Sequence, residues 1–149
     1  MLMKTHLAIG VFLLALFLPH VNYEFIFLPV ILIASILPDI DSAFSTVGKN
    51  RIFRFLQWVT KHRGVIHSFT LCLIISVIFA IIYPPLAFPF FLGYGIHLFV
   101  DSFTVDGIRP FWPWGATVNG KVRTGGSIEY LIFVIFCVID VAMIINWFL

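Results

Sequence analysis

Five apolar segments, at about residues 6–22, 24–39, 65–83, 85–101 and 128–149, take up most of this 149-residue chain and leave little polar surface for a soluble fold. Charged residues make up 11% of the chain, against roughly 25% in soluble domains. The apolar runs are continuous rather than alternating, which predicts helices and not the strands of a barrel. The expected fold is therefore an all-α integral membrane bundle of about five helices, forming one domain over residues 1–149 with no soluble domain left over. The first run follows Lys4 and ends in Phe17-Leu18-Pro19-His20 without a small-residue cleavage site, so it reads as a retained helix rather than a signal peptide.

Several runs are short. Leu7 to Pro19 and Phe25 to Pro38 both fall below the ~20 residues that cross a hydrocarbon core, so their polar ends belong at the membrane edge or slightly inside it. Asn22-Tyr23-Glu24 and Pro84-Pro85 make tight hairpin connections. This threading puts all nine basic residues on one face: Lys4, Lys49, Arg51, Arg54, Lys61, Arg63, Arg109, Lys121 and Arg123. The positive-inside rule makes that face cytoplasmic, giving a multi-pass membrane protein with its N-terminus inside. Cys72 and Cys137 lie within apolar runs and read as small hydrophobes, not as a disulfide.

Two segments on the basic face are not spans. Arg51 to Lys61 reads as an amphipathic helix, with Ile52, Phe55, Leu56 and Val59 on one side and Arg54, Gln57 and Lys61 opposite. It either lies in the headgroup plane, with Trp58 near the boundary, or is a packed connector with a solvated basic face. Residues 102–127, rich in Gly, Pro and aromatics such as Phe111, Trp112 and Trp114, form a loop that either caps a site or anchors the chain at the interface.

The few polar residues cluster at the ends of the apolar runs on that same face. His97 and Asp101 are four apart on an expected helix, so one face presents both to a single centre. A hydrogen-bonded His–Asp pair at a helix end is the plainer explanation of that spacing. Asp39 and Asp41 follow the helix-breaking Pro38, and ionised carboxylates at a membrane edge need a partner, water or a metal. Either carboxylate can also serve merely as a helix cap. His62 and His67 flank Arg63-Gly64, where a glycine turn entering a helix can bring two imidazoles together. His6, one turn into the first helix, adds a further ligand, although an interfacial histidine is its ordinary role.

Together His6, Asp39, Asp41, His62, His67, His97 and Asp101 offer the mixed nitrogen and oxygen donors suited to one or two divalent ions, zinc first and manganese or iron as alternatives. Two such ions clamp a phosphoester during hydrolysis. Arg63 is placed to hold a phosphate or, equally, to act as a topology determinant. Glu129 is a further ligand, a base or a helix-start charge, and Asp140 is an intramembrane carboxylate set apart from the cluster.

The combination of His6, Leu37-Pro38-Asp39-Ile40-Asp41, His62-Arg63-Gly64-Val65-Ile66-His67-Ser68, and Gly93 or Gly95 with His97 and Asp101, then Gly107 and Pro110, resembles the YdjM family of inner-membrane metal-dependent hydrolases. The match spans about residues 5–115. The resemblance implies a helical membrane protein and a metal-dependent hydrolase, with a remoter likeness to zinc-dependent phospholipases C and related single-strand nucleases.

The expected activity is hydrolysis of a phosphoester in a phospholipid or lipid-linked substrate at the cytoplasmic membrane face, with membrane lipid rather than nucleic acid as the partner. Asp39, Asp41, His67, His97 and Asp101 lead the ligand set, and Asp41, His62 and Arg63 form the catalytic set, His62 or His6 carrying a proton. The rival readings are a non-enzymatic protein with a structural metal and an ion transporter. Transport requires polar residues along the whole path, and the far half offers mainly Asp140 and His20.

Overall fold

The computed structural model describes residues 1–41 and 64–149, except for the side chains of Asp41 and Phe148. Five α-helices fill the described residues: α1 (Met3–Phe17), α2 (Glu24–Ile36), α3 (Phe69–Ile82), α4 (Ala87–Asp101) and α5 (Ser127–Phe148). Short 3-10 turns extend the ends of three of these segments, at Leu18–His20, Leu37–Asp41 and Pro84–Leu86. There is no strand among the described residues, only two isolated bridges, Thr104 with Val122 and Ile108 with Val118. The amphipathic helix expected at 51–61 lies outside the described residues.

Proline marks most of the boundaries. Pro19 and Pro38 turn the chain out of α1 and α2 into 3-10 geometry, and Pro84 and Pro85 separate α3 from α4. The third helix begins at Phe69 rather than at residue 65, so His67 sits in the turn before it. Two groups fix that start: the Ser68 hydroxyl accepts from Leu71 N at 3.2 Å, and the Pro110 carbonyl accepts from Phe69 N at 2.8 Å. A side-chain cap and a distant loop carbonyl thus satisfy amide donors that a longer helix would have bonded internally.

Helices α2 and α4 pack at very close range. A Cβ added to Gly93 would meet the Ile31 carbonyl oxygen at 2.4 Å and Ser35 N at 3.1 Å, so only glycine permits this crossing. Around it, Ala34, Ile66, Cys72, Phe90, Tyr94, Leu98 and Ile108 form one apolar core, and Leu13, Phe27 and Ile31 form a second toward α1. Cys72 and Cys137 are both free thiols.

The outer faces are apolar as well. Leu131, Ile135, Val138, Val141 and Ile145 of α5 and Ile74, Val77 and Ile81 of α3 are exposed, a distribution suited to lipid and not to water. Met3–His20 and Ser127–Trp147 are long and apolar enough to cross a membrane, and only 11% of the latter segment is buried within the protein.

Candidate metal centre

At one end of the bundle, buried polar side chains from α1, the 37–41 turn, the 64–68 turn and α4 meet. His6, His67, His97 and Asp101 are essentially inaccessible and Asp39 is 7% exposed. His6 Nε2 lies 3.4 Å from Asp101 Oδ1, while Asp101 Oδ2 lies 3.7 Å from His67 Nε2 and 3.8 Å from His97 Nε2. Asp39 Oδ1 is 3.8 Å from His97 Nε2. Four ligands placed tetrahedrally at zinc bond lengths stand about 3.4 Å apart, so these separations are close to those of a coordination shell.

Each element reaches this point for a local reason. One helical turn separates His97 from Asp101, and both fall on the buried face of α4 together with Gly93. Pro38 lacks the N–H that would bond the Ser35 carbonyl in 3-10 fashion, and that carbonyl instead accepts from His97 Nδ1 at 2.7 Å. Because a carbonyl can only accept, Nδ1 carries the proton and Nε2 presents its lone pair to the cluster. Such an outer hydrogen bond to a carbonyl is the usual arrangement for a metal-ligating histidine.

His67 is placed by a different contact. The Tyr94 hydroxyl donates to the carbonyl of Ile66 at 2.5 Å, which pins the turn one residue before the imidazole. Thr104, just beyond α4, donates to the Asp101 carbonyl at 2.7 Å and accepts from Gly107 N at 3.2 Å, so the 104–107 turn is anchored to the acidic end of the helix. Gly107 adopts φ +62°, and a Cβ there would meet the Val118 oxygen at 2.2 Å. That close approach holds the 107 and 118 stretches of the loop against each other.

The cluster fits a metal ion on two grounds. His6 Nε2 and His97 Nε2 are buried and make no hydrogen bond among the described residues, although an orphaned buried nitrogen is costly. In addition, two groups, His6 with Asp39 and His97, and His67 with His97 and Asp101, keep their donor atoms within 4.8 Å of one another. The α-amino group of Met1 also contacts Asp101 Oδ1.

Among the expected site residues, the structure thus brings His6, Asp39, His67, His97 and Asp101 together. His62, Arg63 and the Asp41 side chain lie outside the described residues. Glu129 is buried beside the cluster but has another occupation: its Oε1 accepts from Leu2 N at 2.5 Å and Thr5 Oγ1 at 3.0 Å, and its Oε2 accepts from Gly125 N at 2.5 Å. It ties the start of α1 to the start of α5. His20 lies at the other end of the bundle, lining a cavity of about 520 Å³ with Tyr23, Tyr83 and Phe88.

A model of the YdjM inner membrane protein family matches residues 1–148. The chain belongs to that family. The YdjM match covers α1 through α5 and so includes every described residue of the cluster. Comparison with curated proteins and with solved structures returns no match.

Proposed function

We propose that this YdjM-family protein is a membrane-bound, metal-dependent hydrolase acting on a phosphoester of a phospholipid or lipid-linked substrate. The observation that carries this reading is the convergence of three imidazoles and two carboxylates, all buried, from four separate elements at one end of an apolar bundle. His6, Asp39, His67, His97 and Asp101 would hold a divalent ion, zinc first, which would supply Lewis-acid polarisation and activation of water at neutral pH. The protein's part is to hold His97 in one tautomer through Ser35, to fix His67 through Tyr94, and to keep Asp39 and Asp101 desolvated. Asp41, His62 and Arg63 take their roles from the sequence motifs: Asp41 as a further carboxylate ligand, His62 as a proton carrier and Arg63 as a phosphate clamp.

The substrate class follows from location. The cluster lies where short apolar helices end, and the multi-pass threading with a cytoplasmic N-terminus inferred from the basic residues would set that end at the depth of lipid headgroups. Burial of all five side chains favours a second reading, in which the ion is structural and joins helices too short to pack securely alone.

One experiment separates the two. Metal-loaded protein in detergent is assayed against a chromogenic phosphodiester and against phospholipid vesicles, beside the Asp39→Asn and His67→Asn variants. Hydrolysis by the parent, lost in variants that keep their helical content, supports the enzyme. Absence of turnover by the parent, with both variants unfolding at lower temperature, establishes the structural role instead.

A further inference from the structure

His6 and His97 stack face to face, with ring centroids 3.8 Å apart and planes 12° from parallel. An imidazole offers its lone pair in the plane of the ring, and a zinc–nitrogen bond is about 2.0–2.1 Å long. One ion bonded to both Nε2 atoms would stand between the stacked planes, about 1.9 Å out of each at half the 3.8 Å separation, where neither lone pair points. These two histidines are therefore arranged for different ions. His67 and His97, by contrast, meet at 64° with centroids 5.4 Å apart, so their lone pairs can converge on one point.

The Asp101 carboxylate divides along the same line. Its Oδ1 faces His6 Nε2 at 3.4 Å, and its Oδ2 faces His67 Nε2 and His97 Nε2 at 3.7 and 3.8 Å. A carboxylate with one oxygen toward each group of imidazoles is suited to bridging the paired ions of a phosphoester hydrolase, which stand about 3.5–4 Å apart.

From this partition we propose that the centre is dinuclear. One ion is held by His6 and Asp101 Oδ1, the other by His67, His97 and Asp101 Oδ2, and the Asp101 carboxylate bridges them. Asp39, whose donor atom lies within 4.8 Å of those of both His6 and His97, supplies a carboxylate at the seam. The Met1 amino group, which also lies on Oδ1, gives way when the His6 ion binds. The proposal rests on the metal reading above and goes beyond it by fixing the number of ions and dividing the ligands between them.

The test is a Mn²⁺ titration of chelator-stripped full-length protein, followed by electron paramagnetic resonance, with elemental analysis of the zinc-loaded protein alongside. Two ions per chain are expected, with an exchange-coupled pair signal at two equivalents. The His6→Asn variant is expected to hold one ion and give only an isolated single-ion signal. One ion per chain in the saturated parent, two ions without coupling, or two ions retained by His6→Asn each overturn the dinuclear assignment while leaving a metal-dependent protein. No ion in the parent overturns the metal reading itself. If His6→Asn does not fold, the parent's stoichiometry and coupling decide alone.

Discussion

The His97 ring is held by the backbone of another helix: its Nδ1–H donates to the Ser35 carbonyl at 2.7 Å, which leaves Nε2 directed into the cluster. This bond exists because two glycines let the helices close around Ser35. Gly93 brings α4 against the Ile31–Ser35 backbone, and Gly10 brings α1 against the Ser35 side chain.

Replacing Gly93 by Ala is therefore expected to damage both stability and metal binding. The new methyl would meet the Ile31 carbonyl oxygen at 2.4 Å, and helix backbone cannot yield locally. Overpacking of this kind costs about 1–3 kcal/mol and separates the Ser35 carbonyl from His97. The Gly10→Ala change meets side chains rather than backbone, Ser35 Oγ at 2.9 Å and Cβ at 3.2 Å and Leu32 Cδ2 at 3.7 Å, so it is expected to be the milder of the two. Thermal unfolding in detergent and a chelator-competition titration of both variants check the order.

Tyr94→Phe is expected to weaken ion binding with little loss of fold. The ring stays packed against Phe90, while the hydroxyl that holds the Ile66 carbonyl at 2.5 Å is removed. Supporting hydrogen bonds around metal ligands are typically worth about 10- to 100-fold in affinity. A variant with unchanged affinity would show that the 64–68 turn is held in place without the Tyr94 hydroxyl.

Much of this arrangement was legible in the residues, and the unreadable part has a common cause. The His97–Asp101 spacing puts both on one helical face whatever surrounds them, and Pro38 announces a chain reversal at Asp39. The apolar runs between proline pairs and polar turns likewise mark five helices. Ser35 could not be singled out, because it acts through its main-chain carbonyl and a side chain gives no sign of that. Its place three residues before a proline was the available clue. Tyr94 and Glu129 act on segments distant in sequence, and the start of α3 is set by the Pro110 carbonyl. Those contacts belong to tertiary neighbours, so periodicity and spacing carry no record of them.

Glu129→Gln is expected to lower stability while leaving ion content unchanged. Gln keeps one acceptor oxygen where Glu uses both, so one of the bonds to Leu2 N, Thr5 Oγ1 or Gly125 N is lost and the rest weaken. Charge-assisted hydrogen bonds contribute about 1.5–3 kcal/mol each. Elemental analysis distinguishes this tie between α1 and α5 from a ligand role, since a ligand would take ion content down with it.

Metal binding should weaken on acidification. An ion is held by neutral imidazoles and ionised carboxylates, so protons compete with it for the cluster as a whole. Added Zn²⁺ should therefore raise the unfolding temperature more at about pH 7.5 than at about pH 5.5, and a chelator should abolish the rise. An increment independent of pH would point to binding by groups that do not titrate in this range.

Asp140 lies eleven residues beyond Glu129 on α5, about 16 Å further along the helix and away from the cluster. It is 7% exposed, and its Oδ1 makes no hydrogen bond among the described residues. An incompletely satisfied buried carboxylate costs free energy, and an apolar replacement of similar volume is commonly neutral or stabilising. Asp140→Leu is thus expected to keep its full ion content and phosphodiester turnover, with an unfolding temperature equal to or above the parent's. A transporter would behave differently, because this carboxylate is its natural relay within the membrane. Ion flux into proteoliposomes that is present in the parent and lost in Asp140→Leu would favour transport over hydrolysis.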